Sequence, residues 1–104
     1  MLVFYDRQAN RMTSQSEIAT VCDWVKTLLL EKNSLYGDSA LEPVRIFSKA
    51  DSIEQLLVRI DDKLSRIQKG VGLVSEDEDV IQDLIGYLVL LKIALRRQRD
   101  SQGR

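Results

Sequence analysis

The chain has 104 residues and a formal net charge of -1, from 15 basic and 16 acidic side chains. That length fits a single domain with one core, ordinary proportions of apolar and charged residues exclude a disordered or fibrous chain, and near-neutrality excludes the broad positive field of a general nucleic-acid binder. Histidine is absent and Cys22 is the sole cysteine, which excludes an intrachain disulfide, a Cys/His zinc site and Cys-His or Ser-His catalysis and leaves oxygen ligands as the chemistry for any metal, as Mg²⁺ or Mn²⁺ would use.

The opening Met-Leu-Val-Phe-Tyr is too short for a signal peptide and lacks its basic flank, and no apolar run reaches the roughly 20 residues needed to cross a bilayer. A cytoplasmic protein without membrane contact is the expectation, and one unpaired cysteine agrees with a reducing compartment. Residues 1–13 show no sustained period and read as an N-terminal arm. The first helix is signalled at Ser14, where Glu17 stands three residues on in a capping-box pattern, and is predicted to reach about Lys32. Ile18, Val21, Cys22, Val25, Leu28 and Leu29 recur at steps of three and four and form one stripe, which places Cys22 in the core. Trp24 lies at the stripe's edge, suited to packing or a subunit interface.

Between Asn33 and Asp51 the helical period breaks at Gly37 and Pro43. Pro43 suits the first position of a short helical turn carrying Val44, Ile46 and Phe47, and this apolar content predicts an ordered, packed loop. Asp51 with Glu54 starts the second helix, in which Ile53, Leu56, Leu57, Ile60, Leu64 and Ile67 make the cleanest amphipathic stripe before Gly70. Ser75 with Glu78 opens a third helix from about Glu76 to Arg99. Gly86, inside it, suggests close approach of another backbone. From Leu84 to Leu95 that helix is apolar almost all round, more than a three-helix monomer covers. The predicted architecture is a single all-α domain over residues 1–104, with three long helices, a short helical turn and a flexible tail at 100–104. A homodimer or homotetramer would complete the bundle. Arg96, Arg97, Arg99 and Arg104, interrupted by Asp100, form a basic cluster at the C-terminal end, where cations complement the helix dipole.

The acidic residues supply the functional signal. On the third helix Asp79 and Asp83 lie about 40° apart, in a sector that continues through Val80, Gly86, Tyr87 and Leu90 toward the core. A carboxylate so placed is costly unless it is paired, hydrogen-bonded or bound to a metal. Acids near a helix start are also favoured by the dipole, which accounts for Glu76, Asp77 and Glu78. On the second helix Asp61 falls beside Glu54 at the edge of the stripe and Asp62 faces away, with Arg59, Lys63 and Arg66 around them. These charges read either as surface ion pairs at four-residue spacing or as a metal ligand beside cations for phosphate. In Tyr36-Gly37-Asp38 a tyrosine can stack on a base where glycine lets the backbone approach. Glu31 and Lys32 can project into the same cleft. Gly-rich phosphate loops of the Walker or Rossmann type are absent.

Three segments then resemble a known family. Lys32-Asn33-Ser34-Leu35-Tyr36-Gly37-Asp38-Ser39, Arg59-Ile60-Asp61-Asp62-Lys63-Leu64-Ser65-Arg66 and Asp79-Val80-Ile81-Gln82-Asp83-Leu84-Ile85-Gly86-Tyr87 resemble the MazG-like all-α NTP pyrophosphohydrolases of phages and bacteria, over about residues 14–95. The resemblance implies Mg²⁺ (or Mn²⁺) held by acids of neighbouring helices and hydrolysis of a nucleoside triphosphate to monophosphate and pyrophosphate. Carried onto this chain, it makes Asp62 and Asp83 catalytic and Glu31, Asp62, Asp79 and Asp83 metal ligands. Lys32, Tyr36, Asp38, Arg59, Lys63 and Arg66 would hold the nucleotide. Val80 stands where the family has a glutamate, with Asp79 one position before it, and the two glutamates of the family's first motif are replaced, with Arg59 and Asp62 nearest by spacing. Two further readings stay open beside the hydrolase: a nucleotide-binding or sequestering protein without turnover, and a structural helical adaptor.

Overall fold

The structure, a computed structural model, describes residues 13–70 and 79–102. Among the described residues the protein is all-helical and has no strand: α1 is Ser14–Tyr36, α2 is Ser52–Gln68 and α3 is Val80–Gln102. The arm before Thr13, the capping pattern of Ser75 with Glu78, the predicted helix start at Glu76 and the terminal Arg104 lie outside the described residues.

The cap of α1 is Thr13 and not Ser14. The Thr13 hydroxyl accepts the Ser16 N–H at 3.1 Å, satisfying one of the donors that a helix start leaves orphaned, and its carbonyl accepts the Glu17 N–H at 2.9 Å as the first regular helical bond. The helix also runs past Lys32 to Tyr36, because no breaker precedes Gly37. There φ is 71° and ψ is -157°, a region essentially reserved for glycine, and the Gly37 N–H closes the last turn on the Asn33 carbonyl at 2.8 Å.

The loop differs from expectation. Its turn forms at Asp38, whose carbonyl accepts the N–H groups of Leu41 and Glu42 at 2.9 and 2.7 Å, so the turn is closed before Pro43 and no helical turn follows it. Val44, Ile46 and Phe47 are exposed, Phe47 to 96%. At these exposures the three side chains do not pack the loop against the described helices.

α2 begins as predicted, with the Asp51 carboxylate accepting the Glu54 N–H at 2.9 Å. Its stripe buries Leu56 and Ile60, and full burial of a leucine of this kind contributes about 1.5–3 kcal/mol. At the start of α3 the Asp79 carboxylate accepts the Gln82 N–H at 2.7 Å and its carbonyl the Asp83 N–H at 3.0 Å. The helix continues through residues 100–102, which are therefore helical and not a tail.

α3 is the shared element. α2 packs along it extensively, α1 touches it over a short stretch, and α1 and α2 do not contact one another. Arg59 meets Tyr87 and Lys63 meets Asp83, so a turn forward on α2 matches a turn back on α3 and the two run antiparallel. Lys32 beside Asp83 and Leu29 against Gly86 give α1 the same antiparallel relation to α3. Gly86 is buried, and a Cβ there would lie 3.0 Å from the Leu29 Cδ2. The close approach expected at this glycine is thus to a side chain of α1 and not to its backbone.

The core is small. Val25, Leu56, Ile60, Val80 and Ala94 are its buried apolar residues among those described, whereas Ile18, Val21 and Trp24 on α1 and Leu88, Val89 and Leu95 on α3 are exposed. Cys22 is exposed as well, contrary to its expected place in the core, because α1 meets α3 too briefly to cover the N-terminal half of its stripe. The radius of gyration is 17.9 Å, against about 13 Å for a compact domain of 100 residues. Among the described residues no helix is long and apolar enough to cross a membrane.

Candidate functional site

A cavity of about 320 Å³ lies where α1, α3 and the loop after α1 come together, with Arg59 reaching in from α2. This is within the usual size range of small-molecule sites, about 300–1,000 Å³. Its floor is apolar, from Val25, Leu28, Leu29, Gly86 and Leu90. Its polar groups are few and come from all three helices.

From α1 come Lys32, Asn33 and Tyr36, side by side on the last two turns because the helix extends to Gly37. The Asn33 amide donates to the Asp38 carboxylate at 2.7 Å and to the Gly37 carbonyl at 3.2 Å, pinning the loop back onto the helix that precedes it. From α2 comes Arg59, its guanidinium 6.0 Å from the centroid of the Tyr87 ring, the outer limit of a cation–π contact worth about 0.5–1 kcal/mol. From α3 come Gln82, Asp83 and Tyr87.

Asp83 joins the three helices electrostatically. Its Oδ2 lies 3.2 Å from the Lys63 Nζ of α2 and its Oδ1 4.0 Å from the Lys32 Nζ of α1. The Lys63 side chain is 12% exposed and the Asp83 side chain 30%. In such surroundings desolvation offsets much of the Coulomb attraction of the pair, whereas removal of one partner strands the other charge away from water.

The nucleotide-side residues expected from the sequence divide in two. Lys32, Tyr36, Asp38 and Arg59 line the cavity, and Lys63 reaches it through Asp83. Arg66 is not part of the lining; its Nε lies 3.3 Å from Asp62 on the same helix. The expected metal ligands are not gathered. Asp62, 57% exposed, pairs with Arg66 at the helix surface, Asp79 caps α3, Asp83 lies against two lysines and Glu31 is exposed. Among the described residues no three acidic or cysteine side chains stand close enough to hold a metal ion together. Of the four expected ligands, Asp62 and Asp83 are engaged by cations and Asp79 by a helix N-terminus, while Glu31 is exposed, so among the described residues they do not form one donor set for a Mg²⁺ shared between helices.

Tyr87, Asn33, Gln82 and Gly86 were not singled out as site residues by the sequence reasoning. A signal existed for the first. Arg59 lies one turn before Lys63 and Tyr87 one turn after Asp83, so an antiparallel pairing of Lys63 with Asp83 brings the arginine to the ring.

A second hollow, of about 550 Å³, lies between α1 and α3 beyond the Val25 and Leu29 contact. It is lined by apolar residues such as Val21, Cys22, Ile85, Val89 and Ile93, with Lys26 and Arg97 among its charged residues. Among the described residues, fold and site together define three helices and no strand around a cavity that presents two cations and two phenol rings. No protein-family model, no curated protein and no solved structure matches the chain.

Proposed function

We propose that the cavity binds a nucleotide, with phosphate oxygens near Lys32 and Arg59 and the base against the rings of Tyr36 and Tyr87. The observation that carries this reading is the convergence of Lys32 from α1, Arg59 from α2 and Tyr87 from α3 on one cavity of about 320 Å³. Ammonium and guanidinium groups bind phosphate by charge-assisted hydrogen bonds, and an aromatic face accepts a base by stacking. The reading keeps the nucleotide class implied by the resemblance to MazG-like proteins. It favours retention over hydrolysis, since metal-assisted water attack needs carboxylates open to a cation and the two carboxylates of the cavity lining, Asp83 and Asp38, are engaged by two lysines and by the Asn33 amide.

The same reading takes the working protein as a homodimer or homotetramer. The exposed apolar residues of α1 and α3 and the extended shape support it, since a face of this kind is stabilised by burial against another surface and a net charge of -1 opposes association of identical chains only weakly. Sedimentation equilibrium is expected to return a multiple of 11.9 kDa; a monomer at all concentrations contradicts this part.

Incubation with a panel of nucleoside triphosphates and Mg²⁺ tests the ligand reading. Retention of ligand with a raised melting temperature and no product is expected, because a ligand that binds only the folded state stabilises it. Release of monophosphate and pyrophosphate would instead establish the hydrolase. No thermal shift with any nucleotide would leave the structural adaptor.

A further inference from the structure

We infer that this cavity takes its nucleotide as the metal-free anion, Lys63 and Lys32 occupying the carboxylate that a metal-dependent site would hold open for the cation. The inference rests on the nucleotide reading above and adds the form in which the ligand binds. In a metal-assisted site a carboxylate oxygen faces the ion, which in turn bridges to phosphate. Here both oxygens of Asp83 face ammonium groups, Oδ2 at 3.2 Å from Lys63 and Oδ1 at 4.0 Å from Lys32. A divalent cation entering at Asp83 would have to displace one ammonium and sit beside the other, a repulsion made stronger by the partial burial of Lys63.

The other carboxylate of the lining, Asp38, accepts the Asn33 amide at 2.7 Å, and no group of three ligands forms around it among the described residues. Cations therefore already stand where a bridging metal would mediate. Lys32 and Arg59 line the cavity and are placed to meet phosphate directly. Chelation of Mg²⁺ removes two negative charges from a triphosphate, so the chelate is drawn less strongly to this pair than the free anion. Asp83 acts in this arrangement as a positioning residue for the two lysines and makes no bond to the ligand.

Calorimetric titration of the full chain with ATP, once in EDTA and once with saturating Mg²⁺, reads the difference. Binding about tenfold tighter in EDTA is expected. Mn²⁺ alone, followed by the loss of its free-ion paramagnetic resonance signal, is expected to show no saturable site. Lys32→Met, a change at a half-exposed side chain that leaves folding intact, is expected to weaken the EDTA titration by about tenfold. Tighter binding with Mg²⁺, or a saturable Mn²⁺ site, overturns the inference while the nucleotide reading stands. Absence of ATP binding in both solutions overturns the two together.

Discussion

α1 and α2 lie on the same helix, α3, and do so to different degrees. α2 packs along α3 and buries Leu56 and Ile60, while α1 meets α3 briefly, around Leu29 and Gly86, and buries Val25 alone. The difference follows from patterning. α2 gathers most of its apolar residues on one stripe with a charged opposite face, so a single neighbour buries the centre of the stripe and leaves Leu57 and Leu64 at its edges exposed. α1 and α3 carry apolar residues on more than one side, so contact with a single neighbour leaves Ile18, Trp24 and Leu88 in water. The candidate site lies at the seam between the more closely packed half of the molecule and the more open one.

The largest test of this contrast is a pair of substitutions. Leu56→Ala, at a side chain 1% exposed, is expected to cost about 2–5 kcal/mol in urea unfolding, and Ile18→Ala about 0.5 kcal/mol or less in the isolated chain. If both cost the same at high protein concentration and diverge on dilution, α1 is covered by another copy, and the contrast belongs to the single chain alone. Next comes Gly37→Ala, expected to destabilise by about 1–3 kcal/mol because its φ of 71° and ψ of -157° are strained for an L residue; the loop from Asp38 to Leu41 should loosen and nucleotide affinity fall with it. Gly86→Leu drives a side chain into Leu29 and the cavity floor, at about 1–3 kcal/mol. Circular dichroism should retain most of the helix signal while nucleotide binding is lost, whereas unchanged binding would separate the cavity from the ligand. Smallest is Asp62→Asn, which removes a surface pair one turn apart, 57% exposed on the aspartate side, and is expected to change stability by about 0.3–0.5 kcal/mol and affinity not at all. A large loss of affinity there would return Asp62 to the site.

The helices were legible because their signals are local. Apolar residues at steps of three and four mark α2 without ambiguity, and Asp51 with Glu54 marks its start. Thr13 was missed as the cap of α1 because Ser14 and Glu17 present the same pattern one residue later, and only backbone geometry separates the two. Cys22 was placed inside by a sound periodicity, but burial of a stripe depends on how long a neighbour stays beside it, which is a tertiary property. Phe47 shows the same limit, an apolar loop residue that is almost fully exposed. Among the charges, Lys32, Arg59, Tyr36 and Asp38 were found by residue type and position. The pairing of Asp83 with Lys63 and Lys32 requires the antiparallel register of α2 and α1 on α3, which no spacing within one helix contains. That register sets Asp83, expected from the sequence as a metal ligand, beside two lysines.

The central claim is that Lys32, Arg59 and Tyr87 converge on one occupied-by-nucleotide cavity, and amide shift mapping with ATP in EDTA tests it most directly. The account predicts saturable shifts confined to residues 32–41, around Arg59 and from Gln82 to Leu90. Shifts centred instead on Val21, Val89 and Ile93, or none that saturate, would contradict it.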